Sequence, residues 1–577
     1  MVGDKAMAMP PGRRKIPAWA WLGLLAILLL DVWWRGHTFG PVVRDRWGLD
    51  LWPVSGSEGE PLDCDEALYT YYGRRMGAGA VMYRDLTEFK PPAGYWLYAA
   101  AVAIGGPTEA SVRFLPIPIV LATLPLIWGL TLRLAGPGTA CLAAAIYAIA
   151  STDPYLYGNG SQLELPLNLG ATAALALMVA ALSRGGRGRI VAAGACLGTA
   201  FLIKQVAVTH LAVFGIALLV RHAPRGLRWA RIRDLLALGV GFVAVVSAAV
   251  AILIAQGAGP SAFDDVIRYG AALARDTPPP AHAPPTLLRW IVGNSDPRDG
   301  SLPWPFGDTE YLPWWGTGTW PLWLGVAVAV PYLLLGPTTA GRRLVAGWTL
   351  SAWVQVALPG LFWPHYYLLP LPGVAVGVAL LLGDLAGLAR RRRSWWCAFA
   401  GGLGALTLGV GLAWTAMIQV RDYLLRPPSE LGKHCKGGEQ WLSMRTMGRD
   451  LGQRSAVWKA PRLYVWGWQT PFHVYSGLDG VTREAFVDPL LQSDPGGAHP
   501  LVRPRLERIM RDLRARPPEL IEVGDPAFPA LRAFLDAGYR RSHLDSPNPE
   551  GRGLWVERGH FREFETFPVR PRPRRHR

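Results

Sequence analysis

The chain has 577 residues, of which 51% are hydrophobic, with a mean hydropathy of +0.19 and a formal charge of +17. Hydropathy that high over this length excludes an ordinary soluble globular protein and indicates a polytopic membrane protein carrying a soluble portion. The basic excess does not indicate nucleic acid, because the arginines sit in short clusters between apolar runs, as membrane topology requires.

Arg13-Arg14-Lys15 precedes an apolar run over 16–34, longer than a typical signal-peptide core, ended by tryptophans and without a small-residue cleavage site. It reads as an uncleaved signal-anchor helix with its basic flank in the cytoplasm. A polar loop, 35–112, follows. It carries Asp65-Glu66-Ala67-Leu68-Tyr69, then Tyr83-Arg84-Asp85, then Glu88-Phe89-Lys90-Pro91-Pro92. An acidic pair and a cation held at a lipid surface suit chemistry on a lipid-linked, negatively charged substrate. Asp85 and Glu88 read as solvated loop charges.

Further apolar runs lie at about 114–132, 139–151, 164–182, 190–203, 206–220, 235–256, 320–335, 344–358, 366–388 and 394–420. Several are shorter than the ~20 residues that cross a hydrocarbon core unaided. A shorter candidate, 93–104, decides the topology. If it does not span, the clusters at Arg133, Arg184/Arg187/Arg189, Arg221–Arg233, Arg342/Arg343 and Arg390–Arg393 all face the cytoplasm. It is therefore expected to lie on the outer face with Tyr95, Trp96 and Tyr98 at the membrane interface. About eleven spanning helices result, with the N-terminus inside and the C-terminus outside. External segments are then 35–112, a loop near 153–163, the turn at Lys204-Gln205, a Pro/Trp-rich loop over 257–318, a short stretch before His365, and the tail. Residues 276–285 read as a flexible strip, and Trp304, Trp314, Trp315 and Trp320 as interfacial anchors, with sugar stacking the other role open to them.

Past residue 420 the composition turns polar. Strands are expected at 462–468, 519–523 and 554–557, helices at 504–516 and 527–537, and disorder over 570–577. The domain reading is thus a membrane portion over 1–420 and a small extracytoplasmic α/β domain over 421–577. Of the five cysteines, Cys141, Cys196 and Cys397 lie in apolar runs, while Cys64 and Cys435 fall outside and no spacing decides whether they pair. There is no zinc-spaced Cys/His set, glycine-rich nucleotide loop or internal repeat.

The motifs resemble those of the integral-membrane glycosyltransferases of the GT-C fold that use polyprenyl-phosphate sugars, glycosyltransferase family 39, which includes the protein O-mannosyltransferases and the lipid A aminoarabinose transferase. The family's Asp-Glu element with a Tyr three residues on matches Asp65, Glu66 and Tyr69. Its Lys-Pro element before an aromatic helix matches Lys90-Pro91-Pro92-Ala93-Gly94-Tyr95-Trp96, and its following arginine resembles Arg113. The acidic residue opening the next helix corresponds to Glu164, where relatives commonly have Asp. Lys204 and the His365-Tyr366-Tyr367 entry to a late helix complete the match, which is good over about 60–220, thin to about 390 and absent in detail over the tail.

The resemblance implies an inverting glycosyltransferase acting outside the plasma (inner) membrane. Nucleotide sugars are absent there, so the sugar arrives on a polyprenyl phosphate and passes to an acceptor hydroxyl of a lipid, glycan or protein. Asp65 would be the general base, with Glu66 beside it as the second catalytic carboxylate, and Lys90 and Lys204 would contact the departing phosphate. Tyr69, Arg113, Glu164, His365, Tyr366 and Tyr367 would bind substrate. No metal ligand set is visible, although a divalent cation beside Asp65 and Glu66 is chemically allowed. The residues alone leave other readings open. Asp65, Glu66 and Glu164 suit helix N-termini, Lys90 and Lys204 suit snorkelling, and His365, Tyr366 and Tyr367 suit an interfacial belt. The competing functional class is a multi-pass transporter or lipid flippase. Such proteins keep charges near the bilayer midplane and often show paired repeats, whereas the ionisable residues here gather in external loops.

Overall fold

A computed structural model describes residues 15–220, 228–278, 319–390, 395–436, 438–544 and 553–567. Apolar sequence with few helix breakers makes long helices. They run over Ala18–Gly36, Pro116–Ala135, Pro137–Ala150, Glu164–Arg184, Arg187–Ile203, Val208–Val220, Arg228–Ala255, Trp320–Leu335, Ala340–Ala357, Leu371–Arg390 and Trp395–Gln419. Each expected apolar run is one of these helices. Among the described residues six helical runs are long and apolar enough to cross a membrane. The outer helices expose apolar stripes, Leu236, Val240 and Val243 on one and Phe399, Leu403, Leu406 and Val410 on another. Surfaces of that kind are stable against lipid and costly in water.

Between the first and second long helices the chain folds into four shorter ones, Gly40–Trp47, Cys64–Gly77, Ala93–Gly105 and Glu109–Phe114. At 13 residues, Ala93–Gly105 is about 20 Å long and, like Val208–Val220, shorter than the ~20 residues that cross a hydrocarbon core unaided. Its tyrosines differ from expectation. Tyr95 and Tyr98 are fully buried rather than interfacial. They pack edge-on against Tyr69, 5.3 and 5.1 Å between ring centres, and the Tyr98 hydroxyl donates to the Ser161 carbonyl at 2.6 Å. Tyr98 can be buried this way because its one polar atom has found a partner. Ile104, 89% exposed, faces outward instead.

The tail carries a four-stranded sheet of β1 (Leu463–Trp466), β2 (Leu520–Val523), β3 (Tyr539–Arg541) and β4 (Gly553–Glu557), in the order β1-β2-β4-β3. β1 and β2 are parallel, with Leu463 opposite Leu520. β4 runs antiparallel to both neighbours. Parallel pairing needs a crossover, and the helix Arg503–Ala515 supplies part of it. The expected strands and both expected helices are present, while β3 and the helices Pro428–Cys435 and Gln440–Ser455 were not foreseen. Cys64 and Cys435 are free thiols. The proposed strip over 276–285 lies outside the described residues from 279 on, as do Trp304, Trp314, Trp315, the side chain of Trp320 and the basic end over 570–577.

The tail packs directly on the first loop. Arg74 donates to the His473 and Leu478 carbonyls and to Asp479, Tyr71 stacks on His473, and the Thr470 hydroxyl donates to the Cys64 carbonyl at 2.6 Å. Arg445 bridges Glu58 at 2.7 Å and Glu109 at 3.3 Å. The helix that begins with Cys64 and Asp65 is held from both sides, by the Ala93–Gly105 helix and by the tail.

Candidate active site

The Cys64–Gly77 helix starts at a capping box. Asp63 accepts from the Glu66 backbone N–H at 2.9 Å, and the Glu66 carboxylate accepts from the Asp63 N–H at 3.3 Å. Two of the four orphan N–H-rich positions of a helix start are met in this way. Asp63 also accepts from the Gln162 amide at 3.0 Å. Asp63→Ala is expected to cost about 1–2 kcal/mol of stability through the lost cap, read as a lower unfolding midpoint in detergent. With Asp63 as the cap, Asp65 has no capping task. Its side chain is 22% exposed and its Oδ2 lies 3.8 Å from His365 Nε2.

Around Asp65 gather side chains from distant segments. Tyr69, one helical turn on, hydrogen-bonds its carboxylate. Lys90 Nζ lies 5.4 Å from the Tyr69 ring centre and 3.7 Å from Glu88 Oε1. Lys204 occupies an extended backbone position (φ −144°, ψ 129°) that breaks the chain between Arg187–Ile203 and the following short turn. Its ammonium pairs with Glu164, the first residue of the Glu164–Arg184 helix, and sits 4.4 Å over the Tyr366 ring. Tyr366 in turn meets His365 edge-on at 4.7 Å.

Burial alone would raise the Asp65 pKa. Lys90, then His365 and Lys204, and the Tyr69 hydrogen bond outweigh it and hold the carboxyl below its ordinary range. Burial would depress Lys90, but Glu88, Asp65 and Glu164 more than offset that, so its pKa rises and it stays an ammonium. Burial lowers His365, which is therefore a neutral imidazole at neutral pH. Its contact with Asp65 is then not an ion pair, and its neutral ring carries one N–H donor. Burial raises Glu88. The arrangement holds an ionised carboxylate and two cations within one largely water-excluded cluster, where charges act strongly.

Asp65, Tyr69, Lys90, Glu164, Lys204, His365 and Tyr366 are thus brought together. Three other candidate residues stand elsewhere. Glu66 is fully buried, pairs with Arg113 at 2.8 Å and accepts from the Ser161 N–H at 2.8 Å. Arg113 also meets Glu60 at 3.3 Å and donates to the Pro61 carbonyl at 3.0 Å. Gly160 lets the second loop lie on this pair, since a Cβ there would fall 2.7 Å from the Glu66 carboxylate. Tyr367 packs edge-on against Trp323 and Trp353, ring centres 6.3 and 5.8 Å away. Two residues were missed. Asp63 could have been found, because Asp-x-x-Glu before a helix is a capping-box signature. Glu88, read as solvated, is buried beside Lys90, and no local pattern marks it. Among the described residues no group of three or more His, Cys, Asp or Glu side chains is arranged to hold a metal ion.

Residues 89–253 match the family model of the dolichyl-phosphate-mannose-protein mannosyltransferases. That segment holds Lys90, Arg113, Glu164 and Lys204 but not Asp65 or His365. No curated protein sequence matches the chain significantly. Among solved structures, the chain is similar to ArnT from Cupriavidus metallidurans bound to undecaprenyl phosphate, with a TM-score of 0.54 and 16% identity over 93% of this chain and 98% of that one. The same protein in its apo state gives a TM-score of 0.53 at 16% identity, with the same coverage. Helices, sheet and whole-chain similarity agree that the protein is a multi-pass integral membrane protein with the fold of the GT-C glycosyltransferases.

Proposed function

We propose that the protein is an inverting glycosyltransferase that moves a sugar from a polyprenyl-phosphate donor to an acceptor hydroxyl on the external face of the membrane. The observation that carries this reading is the Asp65 carboxylate, held ionised beside Lys90 and Lys204. The matched family model and the undecaprenyl phosphate bound by ArnT support the choice of donor. The arginines support an external site. Glu164 opens a helix that ends at Arg184, Lys204 follows one that begins at Arg187, and His365 precedes one that ends at Arg390. The cluster and the arginines therefore occupy opposite helix ends, and a cytoplasmic location for the arginines leaves the cluster outside.

In this reaction the acceptor oxygen attacks the anomeric carbon while Asp65 takes its proton. The bond from that carbon to the phosphate oxygen breaks from the opposite face, and its electron pair leaves with the phosphate. Lys90 and Lys204 stabilise the charge that develops there. A phosphate leaves readily, so no general acid is required. Glu66 and Arg113 serve as positioning residues that fix the helix start. Asp65 must be ionised to act, so activity falls as pH drops through its folded pKa. The acid limb of the rate profile is expected below the ordinary carboxylate range, and Lys90→Met should move that limb upward. A limb that stays in place in the variant would detach Lys90 from Asp65. The function itself is tested by release of polyprenyl phosphate from labelled donors in membranes carrying the protein.

A further inference from the structure

Lys90 ends a turn that begins at Tyr83. Tyr83 stands in the left-handed backbone region, φ +65°, which a bulky residue keeps only where its surroundings enforce it. Its ring is fully buried, and its hydroxyl donates to the Lys90 carbonyl at 2.7 Å. Its own N–H donates to the Leu86 carbonyl at 2.8 Å. We propose that Arg483 of the tail is a positioning residue for Lys90, setting through Tyr83 where that ammonium meets the donor's phosphate. The inference rests on the glycosyltransferase reading and adds to it a task for the tail.

Arg483 holds the turn at two points. Its guanidinium donates to the Tyr83 carbonyl, and its own carbonyl accepts from the Thr87 N–H at 3.0 Å. These two contacts bracket the bend that leads into Lys90. The guanidinium is anchored in turn by Asp265 at 3.1 Å, an acid that also pairs with Arg505 at 2.5 Å. Other elements complete the grip. The Tyr72 hydroxyl donates to the Thr87 carbonyl at 2.7 Å, and the Gln205 amide, next to Lys204, donates to the Phe89 carbonyl at 3.3 Å. The turn is thus fixed by the helix that presents Asp65, by the Lys204 segment and by the tail.

A lysine needs such support more than most residues. Its ammonium rides on a flexible four-carbon stem, so a wandering backbone would add to the spread of positions the charge can take. Glu88 Oε1, 3.7 Å from Lys90 Nζ, steadies the far end of that stem, and Tyr83 steadies its root. A strained turn persists only while its neighbours over-determine it, and Arg483 is the tail's side-chain share of that restraint.

The test measures the Kd of a labelled short-chain polyprenyl phosphate for the purified full chain in detergent. Arg483→Met removes the side-chain contact, leaves the backbone contact to Thr87, and leaves Asp265 paired with Arg505. Tyr83→Phe removes only the hydroxyl that reaches Lys90, and it carries the test if Arg483→Met fails to accumulate. Each is expected to raise Kd about three- to tenfold, the scale of one hydrogen bond. The decisive arm repeats both changes in a Lys90→Met chain. There they should alter Kd by no more than about twofold, the tolerance of such cycles, because their effect runs through the missing ammonium. A purely structural role predicts the same loss in both backgrounds. An unmoved Kd in either variant, or the full loss repeated in the Lys90→Met chain, would overturn the inference alone. Wild-type membranes that consume no labelled donor would overturn the glycosyltransferase reading, and this inference with it.

Discussion

Asp65→Asn is expected to lower sugar transfer by about 10²- to 10⁴-fold, the usual contribution of a positioned general base. The substitution keeps shape and removes only the charge and the proton-accepting capacity. Tyr69 still has an acceptor at the amide oxygen, and the capping box at Asp63 and Glu66 is untouched. The helix should therefore form normally and donor affinity should change little, because the proposed phosphate contacts are Lys90 and Lys204. The expected signature is a fall in kcat with a nearly constant donor KM, measured by initial rates at saturating donor. A matched loss of donor affinity would assign Asp65 to binding rather than to proton transfer. Glu66→Gln provides the contrast. Its effect should appear first in stability, since it breaks the pair with Arg113 rather than a contact in the cluster around Asp65.

Arg113→Met is expected to destabilise the protein by about 3–5 kcal/mol, the range for removing one member of a buried ion pair. The guanidinium is 3% exposed and stands between Glu60 and Glu66 while also donating to the Pro61 carbonyl. Removing it leaves two buried carboxylates near Asp63, with Lys436, 2.7 Å from Glu60, as the remaining cation of the group. The same network ties together the first loop, the second loop through Asn159 and Ser161, and the tail through Lys436. Its loss should loosen the start of the helix that presents Asp65. Denaturant unfolding in detergent measures the effect, and Arg113→Lys, which restores charge without the two-sided fork, should fall between. A loss below about 1 kcal/mol would mean that water reaches the pair and screens it.

The long helices were legible because apolar runs with few helix breakers leave few alternatives, and arginine placement is the argument against 93–104 as a span. Edges were less legible. The Arg228–Ala255 helix begins among arginines that a hydropathy reading excludes, seven residues before the expected apolar run. In the site, Asp65, Lys90 and Lys204 stood out as charges beside apolar segments, and they converge. Glu66 shows the limit of such reading. Adjacent to Asp65 in sequence, it points about 100° away around a helix, and only the fold reveals that it serves the capping box and Arg113. Glu88 and Tyr367 erred in opposite directions, one assigned to solvent and found buried beside Lys90, the other assigned to substrate and found packed among tryptophans. Long-range contacts decided both, and no local pattern encodes those.

The proposed reaction cleaves a sugar from a polyprenyl phosphate at this site. Its most direct test is incubation of membranes carrying the protein with a panel of labelled short-chain polyprenyl-phosphate sugars, supplemented with cell-envelope extract. Release of free polyprenyl phosphate, with transfer to a product of inverted anomeric configuration, is the result expected. Labelled lipid that crosses the membrane intact, with no donor consumed, would contradict the account and identify a transporter instead.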